Sequence, residues 1–336
     1  MFAPPRWKRW ARSQTQQRRR FFRVAPHVFP TIHSSVSLSR SSPTACAACR
    51  WRLVVESNLL DAEEYRRLCD YLYRHTGMAF TEARRYFVER RVEERMIATG
   101  SSSFDSYFAR LRTNLQGELE RLINASTVNE TYFYREDHQF ACLTSNLLQE
   151  RLRMKPRGET MRIWSVPCST GEEPYSIAMW LLENWAEVDA HDIEIVGSDI
   201  DTNVLEAART GIFGKRALMR LSPALTGKYF APAGSELWQI IDELRQSVRF
   251  TAANIVERAE TRPHGLFDVI FCRNLLIYFD ETSRRVAAEN LYESLAPGGY
   301  ICLGHAESMS RISSLFEVCR FVDAIVYRKS PEAPHG

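Results

Sequence analysis

The chain has 336 residues, 45% hydrophobic and 25% charged, enough for two domains with a sizeable core, and no apolar run reaches the roughly 18 residues of a membrane span, so no direct membrane insertion is expected. The net charge of +3 is unevenly held. Residues 1–55 contain eleven Arg or Lys and no acid; removing those eleven from the 44 leaves 33 basic against 41 acidic residues, a net of −8. A mildly acidic remainder without a basic channel argues against nucleic acid as a partner.

Residues 1–55 have the composition of a disordered basic arm and lack the apolar core of a secretory signal. Three accounts compete for them: a translation start set too far upstream, a basic tail for nucleic acid or anionic lipid, and an organellar transit peptide. Cys46 and Cys49 are spaced like half of a metal site, but no second pair follows, and no metal is expected. The other cysteines are scattered, several inside apolar runs such as Phe271-Cys272, as in reduced cytosolic proteins.

From Leu59 to about Gln149 the pattern is helical. Leu59, Tyr65, Leu68 and Leu72 mark one amphipathic helix; residues 82–99 make a second, closed by Gly100; residues 104–112 and 116–125 make two short ones. On the second helix Arg84, Arg91 and Arg95 fall within roughly 40° of one another. That stripe is either a dock for an acidic helical partner or a solvated face paired with Glu89, Glu93 and Glu94.

From about residue 150 to 330 strands alternate with helices. Strands are expected at 161–166, 193–197, 248–251, 266–272, 300–303 and 324–328, with helices at 174–185, 202–208 and 282–295. The pattern predicts an α/β fold, a doubly wound sheet that binds ligand at the carboxyl ends of its strands. Between Phe213 and Arg249 the alternation breaks. The stretch C-S-T-G-E-E-P-Y-S (168–176) reads as a tight loop joining the first strand to a helix, with Pro174 suited to a first helical position and Glu172 and Glu173 at the positive end of the helix dipole. Asp199, closing the second strand, is placed to bond ribose hydroxyls. Neither a Walker A loop nor G-x-G-x-x-G occurs, and two acids in the loop argue against pyrophosphate and for a cationic adenosine ligand such as S-adenosylmethionine. Taken singly, each corner also reads as a plain helix N-terminus or turn.

Five ordered motifs carry a resemblance: N-E-T-Y-F-Y-R (129–135), C-S-T-G-E-E-P-Y-S-I-A from 168, S-D-I-D (198–201), F-D-V-I-F-C-R-N-L-L-I-Y-F (267–279) and L-A-P-G-G-Y-I-C-L-G-H-A-E-S (295–308). Over roughly residues 56–330 the chain resembles the CheR family, the chemoreceptor glutamate O-methyltransferases of bacterial chemotaxis. The resemblance implies an all-α N-terminal domain (56–128) that docks on receptor helices, which favours the docking reading of Arg84, Arg91 and Arg95. It implies a Rossmann-like, S-adenosylmethionine-dependent methyltransferase domain (129–330) with a small antiparallel β-subdomain inserted at about 218–250. Carried over residue by residue, the cofactor contacts fall on Asn129, Thr131, Arg135, Glu172 or Glu173, Asp199, Asn254, Ile255, Arg273 and Asn274. The interval between Tyr229 and Val248 lacks the short Gly-containing extension associated with members that grip a receptor C-terminal peptide, so independence of that pentapeptide is expected. Two departures stand out: Val166-Pro167 replaces a pair of small residues, and Tyr134 replaces Phe.

A glutamate carboxylate, with an ordinary pKa near 4.3, is ionised at neutral pH and needs no general base to attack a sulfonium methyl. Catalysis then consists of desolvating and aligning it. Arg135 is the candidate to orient the carboxylate through its planar fork, and Tyr278 the candidate to face the methyl or the incoming oxygen. The reading is of a cytoplasmic, monomeric enzyme that methylates glutamates of methyl-accepting receptors; the alternative is a non-catalytic module that binds S-adenosylmethionine or S-adenosylhomocysteine and signals. Because residues 1–55 carry no periodic apolar pattern, their deletion is expected to leave the thermal midpoint and methyl transfer nearly unchanged. Loss of receptor methylation with cofactor binding intact would make them a docking element.

Overall fold

The computed structural model describes residues 59–322 and 324–331; the expected arm at 1–55 lies outside the described residues. The first helix, Ala62–Thr76, opens with a capping box in which the Asp61 side chain accepts from Glu64 N at 2.8 Å while Glu64 Oε2 accepts from Asp61 N at 2.9 Å. Gly77, in the left-handed region, ends it. The second helix is Arg85–Thr99, preceded by a 3-10 turn at Glu82–Arg84 and closed, as the sequence predicts, by a left-handed Gly100. Phe104–Arg112 and Glu118–Ser126 complete a unit whose core holds Tyr65, Leu68, Leu72, Val88, Val92, Tyr107 and Leu122. The last helix starts two residues later than expected because Asn114, Gln116 and Gly117 all take positive φ.

The second unit is a seven-stranded sheet. Its strands, in chain order, include β1 (Met161–Ser165), β2 (Ile193–Asp199), β6 (Val248–Ala252), β7 (Phe267–Cys272), β8 (Leu295–Leu303), β9 (Phe316–Arg320) and β10 (Ile325–Lys329). The spatial order is β6-β2-β1-β7-β8-β10-β9, parallel through β8, with β10 antiparallel to β8 and β9 antiparallel to β10. The chain leaves β1 toward β2 and β6 and later returns to the other side through β7 and β8. The strand order therefore reverses between β1 and β7, where a crevice forms at the carboxyl edge. Strand β9 was not expected: three of its five residues are exposed and a fourth is half-buried, so no apolar run marks it. Strand β8 begins at Leu295, before the expected Tyr300, so Pro297-Gly298-Gly299 lies inside the strand.

The first loop–helix corner differs in one detail. The helix spans Glu172–Asn184, so Pro174 is its third residue, still within the turn whose N–H groups lack helical partners. Gly171 precedes it at φ 96°, and a Cβ there would lie 3.0 Å from Ala208 Cβ and 3.1 Å from the Tyr175 ring. The break in alternation is a separate three-stranded antiparallel sheet in the order β3-β5-β4, made of β3 (Ile212–Gly214), β4 (Phe230–Gly234) and β5 (Leu237–Ile240). It takes in Ile212–Gly214, upstream of the expected 218–250, because β3 follows the helix Thr202–Thr210 after the single residue Gly211. Phe133 packs edge-on against Phe213 and Phe230, at 4.8 and 5.2 Å between ring centres, and so anchors this small sheet to the motif at 129–135.

At the amino end of β7, the fully buried Asp268 takes Arg151 Nη2 at 2.9 Å, Lys155 Nζ at 2.6 Å and Arg162 N at 2.8 Å. Removing one partner of such a buried network leaves uncompensated charge and costs about 3–5 kcal/mol. Asp268→Ala is expected to lower unfolding free energy by that amount in denaturant titration; a loss under about 1 kcal/mol would show the cluster to be solvated.

Candidate active site

Four strand ends and the helical unit enclose one cavity. Its wall takes Cys168 and Ser169 from the loop after β1, Asp199 from β2, Asn254 and Ile255 after β6, and Arg273, Asn274 and Tyr278 after β7. The facing wall takes Arg84 from the helical unit and Asn129, Thr131 and Arg135 from the segment that joins the units. The sequence-predicted residues therefore converge from points far apart in the chain. Of the expected cofactor and catalytic residues, one does not reach the wall. Glu172 is buried with its carboxylate on Thr170 Oγ1 at 2.6 Å, and burial pushes its pKa up to about 6. Of the two acids in the loop it is Glu173 that lines the cavity.

The expected receptor-docking stripe breaks up at Arg91 and Arg95. Arg95 turns inward onto the buried Glu118, with Nε and Nη2 at 2.9 and 2.8 Å from its oxygens, and Tyr107 completes the cluster. Arg91 pairs with Glu94 at 3.0 Å beside the Phe87 ring. Arg84 alone faces the cavity, its guanidinium 4.8 Å over the Tyr278 ring. Helical periodicity gave the three arginines similar angles, but the buried Glu118 drew one of them into the core.

Asp199 is 3% exposed. Its Oδ2 accepts from Ser169 N at 2.9 Å and its Oδ1 from Asp201 N at 3.0 Å, which leaves acceptor sites of the carboxylate unfilled. Burial pushes its pKa up to about 6, against the pull of the backbone donors of Asp201, Ser169 and Ile200. Glu173 accepts from Ser165 Oγ and Arg273 Nη1, both at 2.8 Å; burial raises its pKa, and Arg273 and Ser165 oppose the rise.

Several expected cofactor contacts have their side chains engaged within the protein. Asn129 donates to Asp201 Oδ2 at 2.8 Å and to Thr127 Oγ1 at 2.9 Å. Asn254 donates to the carbonyl of His75 at 2.8 Å and so ties the sheet to the first helix. Arg273 spans Glu173, the carbonyl of Arg135 at 2.7 Å and Glu136 at 3.1 Å. These groups shape the wall. Sequence reading missed Asp201, which caps the helix Thr202–Thr210 through Asn203 N and also receives Thr127 Oγ1 at 2.6 Å. Its signal was present as the second acid of S-D-I-D, an N-cap residue before a helix. Arg135 lies between Tyr134 and Glu136, both at positive φ, a strained turn that sets its direction, and its Nη1 donates to the Glu130 carbonyl at 3.0 Å. The buried Tyr134 hydroxyl has no hydrogen-bond partner among the described residues.

Residues 129–325 match the family profile described as CheR methyltransferase, SAM binding domain, and residues 63–127 match that of the CheR methyltransferase all-alpha domain. The chain belongs to the CheR methyltransferase family. It is 51% identical over 267 residues to chemotaxis protein methyltransferase 2 of Vibrio cholerae, covering 79% of this chain and 92% of that protein. It is 34% identical over 267 residues to the chemotaxis protein methyltransferase of Escherichia coli, covering 78% and 90%. As a CheR family member it is an S-adenosylmethionine-dependent methyltransferase. The cavity suits that cofactor: a buried carboxylate with open acceptor sites ends β2, and a second acid, Glu173, lines the wall near it.

A ligand that donates to Asp199 requires its ionised form. Affinity for S-adenosylhomocysteine is therefore expected to fall by up to about tenfold for each pH unit below 6, while Asp199→Asn binds weakly and without that slope, as calorimetry would show. The group's contribution to ligand-free stability runs the other way. Its folded pKa lies above the unfolded value near 3.9, so that stability is present below about pH 4 and is lost as pH rises through about 6.

Proposed function

We propose that this chain transfers the methyl group of S-adenosylmethionine to glutamate side chains of methyl-accepting chemotaxis receptors, on the cytoplasmic side. The observation that carries the reading is the division of charge in one cavity. On the sheet side lie Asp199, bonded by backbone N–H groups, and Glu173, paired with Arg273, whereas Arg84 and Arg135, both half-buried, face them from the helical side. An acidic floor suits a cationic ligand, and a cationic wall suits a carboxylate.

When bound, S-adenosylmethionine supplies an electrophilic methyl on a sulfonium. Asp199 would hold the ribose, with Glu173 and the Cys168–Thr170 loop beside it. Thr131, Asn129, Asn254, Ile255 and Asn274 would shape the remainder of its wall. A substrate glutamate arrives ionised, so no residue need take its proton. Arg135 and Arg84 would offer it planar donor forks, and the Tyr278 ring, stacked under Arg84, would exclude water where the carboxylate oxygen meets the methyl.

Arg84 belongs to the helical unit, so docking by that unit and orientation of the substrate would be linked through one side chain. The names of the relatives support a chemoreceptor substrate. Among the described residues no helix is long and apolar enough to cross a membrane. Independence of a receptor C-terminal peptide is supported by the connection between β4 and β5, which is only Ser235 and Glu236.

Transfer of labelled methyl to receptor cytoplasmic fragments tests the reading, and cofactor binding without transfer would support the signalling-module alternative. Arg84→Ala is expected to raise the receptor KM by about tenfold or more, since a charged hydrogen bond is worth about 1.5–3 kcal/mol, with cofactor affinity unchanged. Arg91→Ala, whose guanidinium already rests on Glu94, should alter neither. KM should also rise with salt as the Debye length shortens toward about 8 Å.

A further inference from the structure

Glu307 lies in the stretch Gly304-His305-Ala306-Glu307-Ser308 that follows β8, and the chemistry above makes no use of it. It is absent from the cavity wall and borders a separate small cavity with Leu276, Arg284 and Arg311. Its carboxylate reaches from the end of β8 to the loop that leaves β7. Oε2 accepts from Asn274 N at 2.8 Å and from Gly304 N at 2.9 Å, and Oε1 accepts from Leu276 N at 2.7 Å. One charged group thus gathers three backbone donors at two adjacent strand ends. Charge-assisted bonds of this kind are shorter and about twice as strong as neutral ones.

The surroundings are built for this contact. A Cβ on Gly304 would stand 2.7 Å from Asn274 Nδ2 and 3.0 Å from Glu307 Oε2, so any side chain there would part the two loops. Asn274 is held at φ 59°, in the left-handed region that a non-glycine residue occupies only when its neighbours enforce it. Beyond the clamp the chain turns through Leu276–Tyr278, and the Tyr278 carbonyl accepts from Ala79 N of the helical unit at 3.0 Å. The loop is therefore pinned at one end by Glu307 and at the other by the helical unit, with Asn274 and Tyr278 on the cavity wall between.

We infer that Glu307 is a positioning residue for methyl transfer, holding Tyr278 and Asn274 at the working distance without touching either reactant. The inference rests on the reading of Tyr278 as the wall that faces the reacting oxygen. Displacing a positioned group by about 1 Å can cost about 100-fold in rate. Glu307→Gln keeps an oxygen for part of the set but turns an amide donor toward at least one N–H; Glu307→Ala loses all three bonds.

The test is a double-mutant cycle on the full chain: Glu307→Gln, Glu307→Ala, Tyr278→Ala and the combinations, each read by single-turnover methyl transfer to a receptor fragment at saturating cofactor and by thermal midpoint. The expected result is a graded loss of rate, several-fold for Gln and tenfold or more for Ala. The Glu307 effect should shrink when Tyr278 is already Ala, because the two act as one unit. A normal rate for Glu307→Gln, or rate losses that simply multiply in the double variant, would overturn the inference. If Glu307→Ala fails to fold, the Gln variant carries the cycle alone. A normal rate for Tyr278→Ala would overturn the reading of Tyr278 and, with it, the route assigned to Glu307.

Discussion

The Arg273 side chain is only 2% exposed, a place for a guanidinium where carboxylates and a carbonyl take the N–H groups at its two ends. Glu173 approaches from the loop after β1, Glu136 and the Arg135 carbonyl from the segment that joins the two units, and Arg273 itself from the end of β7. Two parts of the chain, 100 and 138 residues from Arg273 in sequence, are thereby fixed to one cation. Glu136 extends the network outward to His305 at 2.9 Å, and Gln139 bridges Glu136 to the Leu303 carbonyl at 3.0 and 2.8 Å. The position of Arg135 follows from this arrangement, since its own carbonyl is one of the groups Arg273 holds.

The same burial that makes Arg273 a bracket gives the cavity its polarity. Asp199 and Glu173 are driven toward higher pKa values because water is excluded around them, so the ligand-free site holds acids that gain from the arrival of a positive charge. On the facing wall Arg84 and Arg135 are only half-buried and remain available to an anion. Contacts between the units keep the walls in register: Tyr73 OH reaches Asp280 at 3.1 Å, Asn124 donates to Thr202 Oγ1 at 2.9 Å, and Met78 bridges to Phe279. A side chain of the helical unit can therefore stand over an aromatic ring of the sheet unit within one site.

What the sequence determined by itself was whatever depends on neighbours along the chain. The parallel strands read as largely apolar segments because both faces of the sheet are covered, Asp199 was marked by closing such a segment, and Gly100 by ending a periodic helix. Strand β9 escaped because an edge strand with mostly exposed residues carries no such pattern. Only the tertiary structure decided which polar groups face the cavity and which are used up within the protein. Residue spacing placed Glu172 and Glu173 in one turn, but the helix direction sent one to Thr170 and the other to the wall. The angular stripe of Arg84, Arg91 and Arg95 held equal members until Glu118, 23 residues from Arg95, claimed it. Hydrogen-bond partners distant in the chain leave no periodic trace, so the division of labour among Asn129, Asn254 and Arg273 became visible only when the units were folded against each other.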